Sequence, residues 1–251
     1  MTCVLKNVFV PSDPICSSGG ALVKRDVYIV NGSIDLTGDC ADETWDLDGW
    51  LILPGLRHTL YLSPEEGMGL EMISNAVRKG CTDLAVDDAG RWIKSLSQSD
   101  FPDLASVLQK PSSVENHIQF MINPWQLIKK HVLELIRQGS ELQSAIGKAL
   151  ESFGCSCIQQ GQDADLIFIQ LNAPLNQEKL TDLLFPILML ENEDVFIKAV
   201  MKKGQLIYSK YGASLDSKNF VFDESFYPQI SQNVDSKFDS IHKAIRDIGN
   251  L

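Results

Sequence analysis

Five polar residues carry what chemistry the sequence offers outside its cysteines: Arg57, His58, Asp87, Asp88 and His117. Arg57 and His58 follow a Pro54-Gly55 pair and are suited to binding an anion or a substrate carboxylate. A solvent-facing or hydrogen-bonded pair at a strand end is the plainer reading. Asp87 and Asp88 close an apolar run, where functional groups of parallel sheets gather. Neighbouring strand residues face opposite ways, so the two acids cannot clamp one metal without a bend. Solvated loop acids or a helix cap are the plainer reading. His117 begins an apolar stretch and reads first as structural; its distinction is rarity, since the chain has 4 His. Cys155-Ser156-Cys157 is the one close cysteine pair, and no Cys-x-x-Cys or His-x-x-x-His spacing supplies the further ligands a zinc centre needs. A Gly-x-x-x-x-Gly-Lys phosphate loop and a Gly-x-Ser-x-Gly elbow are both missing.

The elements that would hold these residues divide at Pro54-Gly55. Proline lacks a backbone donor and glycine permits unusual dihedrals, so the apolar run before the pair ends or bends there. Upstream, residues 2–50 read as short strands and turns. A strand over 26–30 precedes Asn31-Gly32, the strongest short hairpin signal, and 33–36 returns from it. Downstream, residues 51–62 read as a strand. Ser63 and Pro64 open a helix over 65–79 that Gly80 closes, and 82–86 read as a buried strand. That is the strand–helix–strand pattern of a parallel sheet. Residues 103–108 suggest a helical turn and 117–122 a strand. Apolar positions from Leu127 to Phe153 keep helical spacing, which Gly139-Ser140 divides into two helices with Ser140 capping the second. A strand over 164–171, a hairpin through Lys203-Gly204 and an amphipathic helix over 229–248 complete the chain.

Composition bounds the partners. The 251 residues carry a net charge of −11, and no Lys/Arg cluster offsets it, which argues against nucleic acid. The N-terminus lacks a basic-then-apolar signal pattern, and no apolar run approaches the roughly 18 residues of a membrane span. The six cysteines read as free thiols of a cytoplasmic protein.

Three groups of residues resemble the amidohydrolase superfamily, especially its chlorohydrolase and aminohydrolase branch. The first is Asn31-Gly32-Ser33-Ile34 followed by the run from Asp46 to Leu56. The second is Glu71-Met72-Ile73 with Arg78 to Asp83, similar to the helix and Gly-x-Thr strand of that family. The third is Gly161-Gln162-Asp163-Ala164-Asp165-Leu166-Ile167, similar to the family's Gly-x-x-Ala-Asp-Leu signature, with a closing hairpin over 195–206. The resemblance implies a mixed α/β fold, in which both termini build a β-sandwich and a truncated α/β-barrel-like layer is inserted. The domains expected are 1–55 with 161–225, the inserted 56–160, and a C-terminal helix over 226–251.

The family's chemistry does not follow from these motifs. There the first barrel strand carries a metal-binding His-x-His pair, whose places fall here on Leu60 and Leu62. Leucine has no donor for Zn²⁺. His58 stands two residues short, a displacement of roughly 6–7 Å along a strand. Residues 59–160 leave about 100 positions where a full eight-unit barrel takes about 200 to 250. The sequence therefore points to a non-catalytic, amidohydrolase-like protein without a cofactor. Its expected role is binding or assembly, with a second copy or another protein covering the open barrel edge. The alternative is a metal-dependent hydrolase or deaminase acting on C–N bonds, with zinc or another divalent ion in a site rebuilt from His58, Asp87, Asp88 and His117.

Overall fold

In the computed structural model the described residues are 2–11, 21–38, 40–60, 66–99, 102–110, 123–170, 180, 183–184, 188 and 197–210. His117 with the strand expected over 117–122, Leu62, the Ser63 cap and the C-terminal helix all lie outside them. All the described residues belong to one compact unit, residues 1–216.

Eleven strands and four α-helices are described, in a mixed α/β arrangement. The first strands are β1 (Thr2–Pro11), β2 (Leu22–Val30), β3 (Ser33–Asp35), β4 (Glu43–Asp46) and β5 (Trp50–Pro54). They join β9 (Leu166–Gln170), β10 (Ile197–Lys202) and β11 (Gln205–Ser209) in one eight-stranded sheet. Its order is β11-β10-β9-β5-β1-β2-β3, with β4 also paired to β1. Both ends of the described chain thus share one sheet. The seam is β5 against β9, antiparallel from Trp50↔Gln170 to Pro54↔Leu166. Trp50, Leu51, Ile52 and Leu53 are all buried, as are Leu166 to Ile169. Continuous rather than alternating burial marks a strand pair covered on both faces.

A second sheet of three parallel strands comprises β6 (Leu56–Leu60), β7 (Cys81–Val86) and β8 (Leu108–Gln109). The chain passes between the sheets at one residue. Gly55 donates its N–H to the Asp165 carbonyl of the first sheet, and Leu56 donates to Gly80 at the head of the second. A Cβ at Gly55 would lie 2.1 Å from Thr82 Oγ1, so only glycine fits the crossing. The single strand expected over 51–62 is therefore two strands in different sheets. A strand cannot pair into both at once, and Pro54-Gly55 resolves the conflict.

Helix α1 (Glu66–Arg78) connects β6 to β7 as expected, burying Ile73, Ala76 and Val77. Helix α2 (Ala89–Ser97) was not foreseen, although Ala89, Trp92 and Leu96 hold a buried face at helical spacing. A 3-10 turn over Pro102–Val107 leads into β8. Helix α3 (Pro124–Arg137) is capped by Asn123, whose Oδ1 accepts from Trp125 N at 3.1 Å. Helix α4 (Leu142–Ser152) packs beside it.

Ser140 does not cap α4. The residue at that position is Glu141, without a side-chain bond. Ser140 is instead used to close α3: Gly139 N bonds to Ile136 O and Ser140 N to Leu135 O, the paired contacts of a Schellman turn about Gly139 at φ 91°. The end of α4 repeats that arrangement, with Gly154 N on Glu151 O and Cys155 N on Leu150 O. This second turn lies against β6, because Phe153 O accepts from Arg57 N at 2.7 Å. One backbone donor on the β6 edge is thereby satisfied within the chain.

Candidate functional site

A polar cleft of about 470 Å³ lies where the two sheets meet. One wall is Asp163, Asp165, Lys202 and Lys203 from the first sheet. The other is Arg57, Thr82, Asp83 and Gln109 from the parallel sheet, with Gly154, Ser156, Cys157 and Ile158 between them.

The cleft is built on Lys202. At the last position of β10 its side chain is 5% exposed, and its Nζ donates to Asp165 Oδ2 at 2.6 Å and Asp83 Oδ1 at 2.7 Å. Burial disfavours the ammonium, but the hydrogen bonds and charges of Asp165 and Asp83 outweigh it and hold Lys202 above the ordinary lysine value. Asp165 Oδ1 also accepts from Lys203 N, and Asp83 accepts from Gln109 Nε2. Every charge at the centre of the cluster therefore has hydrogen-bonded partners, as buried ions require.

The backbone around it explains the signature at 161–165. Ala164 N bonds to Gly32 O, Gly204 N to Ala164 O, and Ile34 N to Gln162 O. The segment threads between two hairpin turns, Asn31-Gly32 and Lys203-Gly204, which approach so closely that a Cβ on Gly32 would sit 2.6 Å from Lys203 O. Residues from both ends of the described chain thus converge on Asp165.

The sequence-derived candidates separate in space. Arg57 reaches the cleft: its side chain is 74% exposed and its Nε lies 3.5 Å from Asp83 Oδ2. His58, on the opposite face of β6, is buried and stacks on Phe153 at 6.4 Å between ring centroids. Asp87 and Asp88 form the exposed turn after β7, where Asp88 takes a left-handed conformation at φ 52° as the residue preceding α2. Arg57 is level with Asp83 in the strand register, so Asp87 lies roughly 13 Å further along at the usual rise per residue. Arg57 and Asp87 thus belong to opposite ends of the parallel sheet. Asp83, Asp165 and Lys202 were not singled out from sequence as site residues. Separations of 119 and 37 positions give no local signal, although Asp165 does fall within the 161–167 motif.

The two positions where the family resemblance places metal ligands are not matched by donors. Leu60 and Leu62 offer only carbon. Among the described residues no group of three or more His, Cys, Asp or Glu is placed to hold a metal ion. The thiols of Cys81 and Cys155 are fully buried, and burial pushes the Cys155 pKa up to about 12, leaving it a protonated core residue rather than a thiolate ligand.

No protein-family model matches the sequence, and no curated protein matches it. Solved structures do. Guanine deaminase from E. coli is 12% identical at a TM-score of 0.52, the match covering 84% of this chain and 99% of that one. A zinc-bound adenosine deaminase from Xanthomonas campestris is 9% identical at 0.55, covering 96% and 98%. Guanine deaminase from C. acetobutylicum, solved with guanine bound in its active site, is 10% identical at 0.52, covering 83% and 100%. At such identities the likeness is one of fold.

Proposed function

From a chain with the fold of the amidohydrolase superfamily, we propose a non-catalytic protein whose role is binding or assembly. The observation that carries this reading is a displacement of polarity. Leu60 and Leu62, where the family resemblance places metal ligands, offer no donor by residue type, while the hydrogen-bonded charges gather around Lys202, at the end of the parallel strands opposite Leu60. A hydrolase of this type needs a metal to activate water, and that position lacks its ligands. The burial of His58 against Phe153 further supports a packing role for the one histidine near it in sequence. Among the described residues no helix is long and apolar enough to cross a membrane. Cytoplasmic placement belongs to the proposal and is supported by the buried thiols of Cys3, Cys81 and Cys155.

The test is elemental analysis of the full chain purified without chelator, together with ammonia release from guanine and adenosine in added zinc. The expected result is well under one metal per chain and no ammonia above the protein-free rate. Stoichiometric zinc, iron or manganese that is lost in a His58→Ala, Asp87→Ala variant would overturn the reading in favour of a rebuilt hydrolase site. Light scattering of the same sample reads the assembly arm, with a defined oligomer expected if a second copy covers the sheet edge.

A further inference from the structure

The geometry points to the cleft between the two sheets as a binding site for a small carboxylate, with Arg57 as its anchor. This deepens the binding role proposed above and rests on it only in taking the protein to be a binder.

Arg57 is set up differently from the other cations of the cleft. Lys202 is saturated by two aspartates. Lys203 is exposed at the rim, and its backbone N–H, not its side chain, is engaged by Asp165. Arg57 is held along its length while its tip is left available. Its backbone N–H is fixed by Phe153 O at 2.7 Å. Its stem lies across Gly154, where a Cβ would come within 2.9 Å of Arg57 Cδ, and Gly154 at φ 81° is the turn residue that ends α4. Its Nε is 3.5 Å from Asp83 Oδ2, and among the described residues no other side-chain partner of Arg57 is found. The two terminal nitrogens therefore form an unoccupied fork on a pre-positioned arm, the geometry that grips a planar carboxylate with two parallel hydrogen bonds.

The surroundings select the class of ligand. A volume of about 470 Å³ suits a metabolite-sized molecule. Gln109, Gln162 and Ser156 give the lining further hydrogen-bonding groups, so the ligand is polar. Three aspartates, Asp83, Asp163 and Asp165, also line it and set a limit on negative charge. They oppose a phosphate dianion more strongly than a monovalent carboxylate. The cleft is also at the other end of the parallel strands from Asp87 and Asp88, so its occupancy does not depend on any chemistry at that end.

The experiment follows the Arg57 Nε–Hε signal by NMR, assigned by its loss in Arg57→Gln, as acetate, succinate and L-glutamate are titrated into the full chain. Acetamide, succinamide and inorganic phosphate serve as controls. At least one carboxylate is expected to shift that signal to saturation, and calorimetry is expected to show binding weakened roughly tenfold or more in Arg57→Gln. Arg57→Lys, which keeps the charge but loses the fork, is expected to recover only part of it. Because Arg57 is largely exposed, both variants should unfold at the wild-type temperature, which keeps loss of binding separate from loss of fold. The inference fails if no carboxylate saturates the signal by 10 mM, on the order of the weakest affinity worth calling binding. It fails equally if an amide control binds better than its carboxylate, if phosphate binds better than acetate, or if Arg57→Gln binds as wild type does. Any of these outcomes leaves the non-catalytic reading intact, since metal content and ammonia release test that separately.

Discussion

Replacing Lys202 with methionine isolates the electrostatic joint between the sheets. The methionine preserves most of the stem and removes the ammonium, leaving Asp83 and Asp165 to face one another across the space it filled. Their side chains are 14% and 17% exposed, so water can relieve only part of the exposed repulsion. Removing one member of a buried charge pair costs about 3–5 kcal/mol, and partial solvation of the aspartates places this case near about 3 kcal/mol. For a unit of this size that lowers Tm by about 6–12 °C. The triple variant Lys202→Met, Asp83→Asn, Asp165→Asn removes these three charges together and keeps an acceptor for Lys203 N. Buried ion clusters replaced as a whole are often close to neutral, so the triple variant is expected within about 1 kcal/mol of wild type. Urea unfolding followed by far-UV circular dichroism measures all three proteins. The pH dependence gives a second reading. Lys202 is held above the ordinary value of 10.5, so its contribution is complete below about that pH and is lost as pH rises through the higher folded value. Wild type should therefore lose stability more steeply than Lys202→Met above that point. A Lys202→Met protein within about 1 kcal/mol of wild type at neutral pH would refute the reasoning, as would a triple variant no more stable than the single one.

Further outcomes are expected at particular positions. Gly55→Ala forces a Cβ to 2.1 Å from Thr82 Oγ1 where the chain crosses between sheets, and should destabilise by about 2–3 kcal/mol in the same urea assay. Trp125→Phe leaves the Lys79 carbonyl without its 2.8 Å indole donor and should cost about 1–3 kcal/mol, mainly through that lost bond. Among the described cysteines, labelling at pH 8 followed by peptide mapping should modify exposed Cys40 first. Cys155, buried and held near 12, and Cys81, which burial raises further, should react only on unfolding. Gly154→Ala should both strain the turn at φ 81° and displace the Arg57 stem. Its expected signature is a stability loss of about 1–2 kcal/mol with an altered Arg57 Nε–Hε chemical shift.

The sequence by itself determined the features whose causes are local. Asn31-Gly32 and Lys203-Gly204 sit at the hairpin turns because few residues accept positive φ, and each reads from its dipeptide. Helix α1 and the pair α3 and α4 follow from apolar spacing, from Gly80 and Gly139 as stops, and from Asn123-Pro124 as a start. Where sequence reading missed, the cause is visible. Helix α2 carried its periodicity at Ala89, Trp92 and Leu96, but it begins after a left-handed Asp88 with no side-chain cap to mark it. Ser140 looked like a cap because its type fits one, whereas its amide was already committed to closing α3.

Only the tertiary structure decided the site. Arg57 and His58 are adjacent in sequence, yet strand alternation sends one to the cleft and buries the other on Phe153. Asp83, Asp165 and Lys202 come from three elements and two sheets, and no residue near any of them in sequence foretells the others. A buried lysine is unfavourable until both aspartates are in place, so the cluster is a property of the assembled sheets. Local dihedral preference and periodicity fix turns and helices; long-range packing alone determines which charges meet.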